Sequence, residues 1–100
     1  MKLQMHSVHF TADQKLLDFV QKRADKLETF FDRIVDGEVF MKVTPDTDRE
    51  NKVVEMKINI PGQTLFAESK SNSFEAATDE VTDALRRQLK KHKEKMTAKH

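Results

Sequence analysis

The chain has 100 residues, 37% hydrophobic and 35% charged, with 18 Lys and Arg against 17 Asp and Glu for a formal net charge of +1. That length supports one domain around a single core, and the charge total excludes a polycation that would hold a polyanion over its whole surface. The absence of cysteine excludes disulfides, a thiolate nucleophile and a Cys-based zinc site, and two glycines are too few for a Gly-rich phosphate loop.

The N-terminus, Met1 to His6, lacks the apolar stretch of a secretory signal, and no window approaches a membrane span, so no membrane partner is expected; the absence of cysteine permits a reducing cytosol. Leu3, Met5 and Ser7 alternate with Lys2, Gln4, His6 and Val8, which predicts a first strand ending near Phe10. Thr11-Ala12-Asp13-Gln14 fits a capping box, with the threonine hydroxyl and glutamine side chain satisfying opposed backbone donors. The helix that follows carries Leu16, Leu17, Val20, Ala24, Leu27, Phe31 and Ile34 at helical spacing. It is expected to end around Val35-Asp36-Gly37, the glycine closing it in the left-handed conformation.

Val39, Met41 and Val43 predict a second strand stopped by Pro45, and residues 46–51 a polar turn. A third strand sorts Val54, Met56, Ile58 and Ile60 from Val53, Glu55, Lys57 and Asn59. Pro61-Gly62 reads as a turn, and Leu65, Ala67 and Ser69 alternate through a fourth strand. Ser73 is a good N-cap for a last helix, whose apolar stripe runs Phe74, Ala77, Val81, Ala84, Leu85, Leu89 and Met96. The five methionines are read as packing residues. The expected fold class is α+β, in the order β-α-β-β-β-α. Strands with one apolar face suit a four-stranded sheet with both helices packed on one side and the other side open to water. One domain over residues 1–96 is expected, followed by a short basic tail over 97–100.

The charge is distributed unevenly. Residues 84–100 hold seven Lys and Arg against one acid, net +6, while residues 1–83 hold eleven against sixteen, net −5. The last helix opens with Glu75, Asp79, Glu80 and Asp83 and closes with Arg86, Arg87, Lys90, Lys91, Lys93 and Lys95. The helix dipole favours that order, and many charge runs are merely solvated faces. Dipole matching needs only two or three cations, however, so six of them favour a polyanion contact. On the first helix Lys15, Lys22, Lys26 and Arg33 fall along one stripe with Arg23 beside it, while Asp18, Asp25, Glu28 and Asp32 occupy a separate arc. Two basic helices on one sheet would form a joint phosphate-binding surface.

Catalytic patterns are missing. His6 and His9, three apart on a strand, are expected on opposite faces, which disfavours a shared metal; His92 borders an apolar stripe and His100 is terminal. No nucleophile motif, HExxH or paired carboxylate stands out, so a binding protein without cofactor or metal is expected, not an enzyme.

Lys26-Leu27-Glu28, Phe31-Asp32-Arg33-Ile34, then Arg87-Gln88-Leu89 with Lys91-His92-Lys93 and Lys95, closely resemble the short bacterial ribosome hibernation-promoting factors and the related ribosome-associated inhibitor. The likeness covers essentially the whole chain and rests on the order and spacing of these segments. It implies a fold like that of double-stranded-RNA-binding domains. It also implies a monomer seated in the decoding channel of the small ribosomal subunit, alone or within the 70S ribosome, against its 16S-type RNA. There such a factor blocks mRNA and transfer RNA and silences translation in stationary phase or stress. On matching positions the resemblance assigns RNA contacts to Arg23, Lys26, Arg87, Lys91, Lys93 and Lys95. The helical wheel alone adds Lys22, Arg86 and Lys90. The chain departs from the family pattern at Ser73-Phe74-Glu75, where an acid, an apolar residue and an aromatic are expected. It also stops five residues after Lys95, short of a long tail or a second domain, so unaided pairing of ribosomes is not expected. Two other readings stay open: a free-standing double-stranded-RNA binder, and a protein-interaction module that docks an acidic partner.

Overall fold

The computed structural model describes residues 1–45 and 51–97. The elements are β1 (Leu3–Val8), α1 (Gln14–Phe30), β2 (Asp36–Val43), β3 (Lys52–Ile60), β4 (Gln63–Ser71) and α2 (Phe74–Thr97). The four strands form one mixed sheet in the order β1-β2-β3-β4, with β1 parallel to β2 and the other pairs antiparallel. The parallel pair follows from α1, which carries the chain back across the sheet between β1 and β2.

Register explains the two-layer form. Met5, Val39, Met56 and Ala67 lie side by side across the sheet, as do Leu3, Gly37, Ile58 and Leu65. These rows join Leu16, Val20, Ala24, Leu27, Val81, Leu85 and Leu89 of the helices in one hydrophobic core. Both helices therefore cover the same face, and the α+β order expected from the sequence is the one observed. The other face carries His6, Phe40, Lys57 and Phe66, with Phe66 51% exposed. Val53 lies on that outer side, between Lys42 and Lys70 in register, yet is buried.

Three boundaries differ from expectation. First, β1 ends at Val8, because His9 takes a left-handed φ of 68° and turns the chain out of the sheet. Second, the N-cap of α1 is Asp13, not Thr11. Asp13 Oδ1 accepts the Leu16 amide at 2.9 Å, which places a carboxylate at the positive end of the helix. Phe10, just upstream, stacks on Phe74 at 4.5 Å and so ties the entry of α1 to the start of α2. The departure at Ser73-Phe74-Glu75 thus carries an aromatic contact of its own.

Third, α1 stops at Phe30, well before Gly37. Phe31 is already extended (φ −145°, ψ 111°), and its ring enters the core. Beyond it the Val35 amide donates to the Asn59 carbonyl at 2.8 Å and the Gly37 amide to the Lys2 carbonyl at 2.9 Å, so both neighbouring strands claim this segment. Gly37 closes no helix. It serves close approach inside β2, where a Cβ would lie 2.9 Å from Leu3 Cδ1 and 3.1 Å from the Lys57 carbonyl oxygen. The left-handed glycine is Gly62 (φ 87°), in the turn expected at Pro61-Gly62. Arg33 consequently leaves the helical stripe assigned to it. Pro45 follows the end of β2 as expected, whereas most of the polar turn falls on residues 46–50, outside the described residues.

Ser73 caps α2 as expected, its Oγ accepting the Ala76 amide at 3.0 Å. Met41 and Met56 are fully buried, and Met1 and Met5 pack at the margin of the core. Met96 is not a core residue, being 45% exposed. The last fully buried position of α2 is Leu89, and the helix runs on for two more turns past the sheet.

The chain's first residue is held against α1. The Met1 ammonium donates to Asp25 Oδ1 at 2.7 Å and also to Glu28, and Gln21 donates to the Met1 carbonyl and to Asp25. Two members of the acidic arc therefore anchor the N-terminus. Hydrogen bonds to Asp25 and then Glu28 raise the ammonium pKa above its ordinary 8.0. At Asp25 burial is the largest influence and pushes the carboxyl up. The hydrogen bonds from Met1 and Gln21, with the charge of the Met1 ammonium, together outweigh it, leaving the group below its ordinary 3.8. The ammonium's contribution is complete below pH 8.0 and disappears as the pH rises through the folded-state value. The Asp25 contribution is complete above pH 3.8 and disappears as the pH falls through its own lowered value. Both carboxylates are more than a third exposed, so screening holds the effect to about 1 kcal/mol or less. Raising the pH above 8 should thus lower the thermal midpoint of the parent slightly, and Asp25→Asn combined with Glu28→Gln should remove that drop.

Candidate nucleic-acid interface

The helices lie side by side and run the same way. Phe10 meets Phe74 at their start, the Arg23 Nε is 3.0 Å from Asp79 Oδ1 midway, and Phe31 and His92 meet in a T-shaped contact near the end, 5.5 Å between ring centroids. A groove between them is lined by Arg23, Lys26 and Arg86 together with Asp79, Glu80 and Asp83. Arg23 is further held over the Phe19 ring at 4.8 Å. Asp83 takes Arg87 at 2.7 Å and Arg86 at 3.7 Å, one carboxylate steadying two guanidinium groups.

Beyond Asp83 the charge changes sign. Lys93 reaches back to the end of α1, its Nζ donating to the Phe30 carbonyl at 3.0 Å and sitting over the Phe30 ring at 5.1 Å. At about 100° per residue, Arg86, Lys90 and Lys93 fall on the side of α2 that meets α1. Arg87, Lys91 and Lys95 step around the outer side toward β4, where Gln88 donates to the Phe66 carbonyl at 2.8 Å. Lys22, Lys26, Lys90, Lys91 and Lys95 are exposed and make no ion pair among the described residues.

The nine cations singled out by sequence therefore do not form a single flat surface. Arg23, Lys26 and Arg86 converge on the groove, Lys22 points away from the core of α1, and the others surround the last turns of α2. Sequence reasoning saw the charge but missed its organisation by Asp79 and Asp83. The Asp83–Arg87 pair is legible as an acid four residues before a base; the Arg23–Asp79 pair joins two helices and leaves no local trace. On the opposite face of the molecule His6 stacks on Phe40 at 4.5 Å with Glu38 at 2.9 Å, and His9 lies outside the strand. Among the described residues no three His, Asp or Glu side chains gather as a metal site, and no helix is long and apolar enough to cross a membrane.

The sequence is similar to several named proteins. It is 36% identical over 95 residues to the ribosome hibernation promoting factor of Pseudomonas putida, covering 95% of this chain and 89% of that one. It is 31% identical over 96 residues to the factor of the same name from Escherichia coli, covering 96% and 97%. In structure it is similar to a ribosomal subunit interface protein from Coxiella burnetii, with a TM-score of 0.82 at 22% identity over 93% of this chain and 98% of that one. It is likewise similar to the N-terminal domain of Thermus thermophilus Protein Y, with a TM-score of 0.81 at 19% identity over 92% and 99%. At those identities the two structures bear on the fold alone. Residues 3–97 match the family described as Sigma 54 modulation protein / S30EA ribosomal protein, and the chain belongs to that family.

Proposed function

We propose that the protein is a ribosome hibernation factor that occupies the decoding channel of the small ribosomal subunit and excludes mRNA and transfer RNA. The carrying observation is the cationic end of α2, with basic side chains on several sides of a helix that runs past the sheet. A duplex offers a protein one backbone face at a time, whereas folded ribosomal RNA can surround an inserted helix. The names of the relatives support hibernation as the role, and that support does not extend to the duplex-binding or protein-docking readings.

In this reading Lys22, Arg23, Lys26, Arg86, Arg87, Lys90, Lys91, Lys93 and Lys95 neutralise phosphates, and the net-negative remainder keeps the protein off generic RNA. Residues 1–96 act as one cytoplasmic, monomeric binding domain; the basic tail falls almost wholly on residues 98–100, outside the described residues. No chemistry on RNA is required, because occupancy is the activity. Translation in a purified system should be inhibited in proportion to the factor-to-ribosome ratio, saturating near one to one and relieved by added transfer RNA and mRNA. Progressive inactivation by substoichiometric protein would contradict it.

A further inference from the structure

A second recess lies apart from the interhelical groove. Where the chain leaves α1 beneath the last turns of α2, Phe31, Arg33, Pro61, His92 and Met96 line a mostly apolar cup of about 230 Å³. Its walls are an aromatic ring, a proline, a thioether and an imidazole, and its rim carries the exposed guanidinium of Arg33. Three acids line the groove; none lines the cup. At about 100° per residue, Lys93 and Lys95 flank the line through His92 and Met96, and Glu94 projects from the far side of the helix. Met96, anomalous as a core residue, is the wall that an incoming group would cover.

We infer that this cup receives one unstacked base of the bound RNA, with the phosphates on either side of that base meeting Arg33 and the lysines of the last turns. The inference rests on the ribosome-binding reading and adds a contact that phosphate neutralisation does not provide. Apolar walls with a basic rim match a nucleotide, which is a flat, weakly hydrated ring between two anions. Folded RNA presents such bases in loops and bulges, where protein side chains take them up by stacking. The cup is smaller than the pockets of about 300–1,000 Å³ that hold drug-sized ligands, and a single base is the commensurate occupant.

The test compares the parent with Met96→Ala, Arg33→Gln and Val35→Ala for binding to purified small ribosomal subunits across a salt series. Base-selective chemical probing of the ribosomal RNA at saturating protein accompanies it. Met96→Ala removes an exposed wall and no charge, so the fold should be undisturbed. Its affinity should fall three- to tenfold with the parent's salt slope, and a base protected by the parent should regain reactivity. Arg33→Gln should weaken binding and flatten the slope by a little under one phosphate. Val35, 63% exposed but outside the cup, supplies an apolar control whose replacement should change nothing. Parental affinity in Met96→Ala, or an unchanged base pattern at saturation, overturns the cup and leaves the ribosome reading intact. Weaker binding with no base affected means that something other than a base fills the cup, and equally overturns it. A parent that fails to bind subunits overturns both.

Discussion

Replacing Arg87, Lys91 and Lys93 together by alanine is expected to weaken binding to small ribosomal subunits by about two orders of magnitude, as three charge-assisted phosphate contacts at 1 kcal/mol or somewhat more each would give. The log–log salt slope should shrink by about two, because each lost contact ceases to release its counterions. The fold should hardly respond. All three side chains are exposed, and the stripe of Val81, Leu85 and Leu89 beneath them is untouched. Arg87 gives up its exposed pair with Asp83 and Lys93 its bond to the Phe30 carbonyl, and surface changes of this kind cost within about 0.5 kcal/mol. Adding Arg23→Ala and Lys26→Ala should deepen the loss through the groove. Lys57→Ala, on the open sheet face beside Glu38, should matter much less. If the triple variant binds as the parent does while Lys57→Ala does not, the binding surface is the sheet.

Leu85→Ala should have the largest effect on stability. Leu85 is fully buried on α2 among residues of both layers, and truncating such a side chain costs about 2–5 kcal/mol, transfer and cavity together. A domain of this size has roughly 5–15 kcal/mol in hand, so the thermal midpoint should fall by well over 10 °C. Met96→Ala, eleven residues further along the same helix, should leave it unchanged. Protein that stays folded should bind subunits with parental affinity, since the cations are untouched. A parental midpoint for Leu85→Ala would mean that α2 does not pack on the sheet.

Element order, the covered face and the cap at Ser73 were legible because each is written locally: a period of two in the strands, a period near 3.6 in the helices, a hydroxyl before an acidic turn. The end of α1 was not. Its apolar spacing continues through Phe31 to Ile34, but Phe31 fills the core better from an extended backbone, and hydrogen bonds from β1 and β3 take the following residues into the sheet. Thr11 lost the cap to Asp13, whose carboxylate takes the Leu16 amide, while Phe10 just upstream stacks on Phe74. Met96 kept helical spacing after the sheet beneath it had run out. The cations themselves were visible as composition. Their arrangement depended also on Asp79, which pairs with Arg23 across the helices, and on which side of α2 meets α1, which only the packed helices reveal.

The balance between net-negative body and cationic helix end makes selectivity the most direct measure of function. Binding of the intact protein to purified small ribosomal subunits and to a generic RNA duplex of equal phosphate concentration should be compared side by side at physiological salt. Strong, saturable, one-to-one binding to subunits with only weak binding to the duplex is the expected result. Equal affinity for the two would contradict the account and make the protein a general duplex binder.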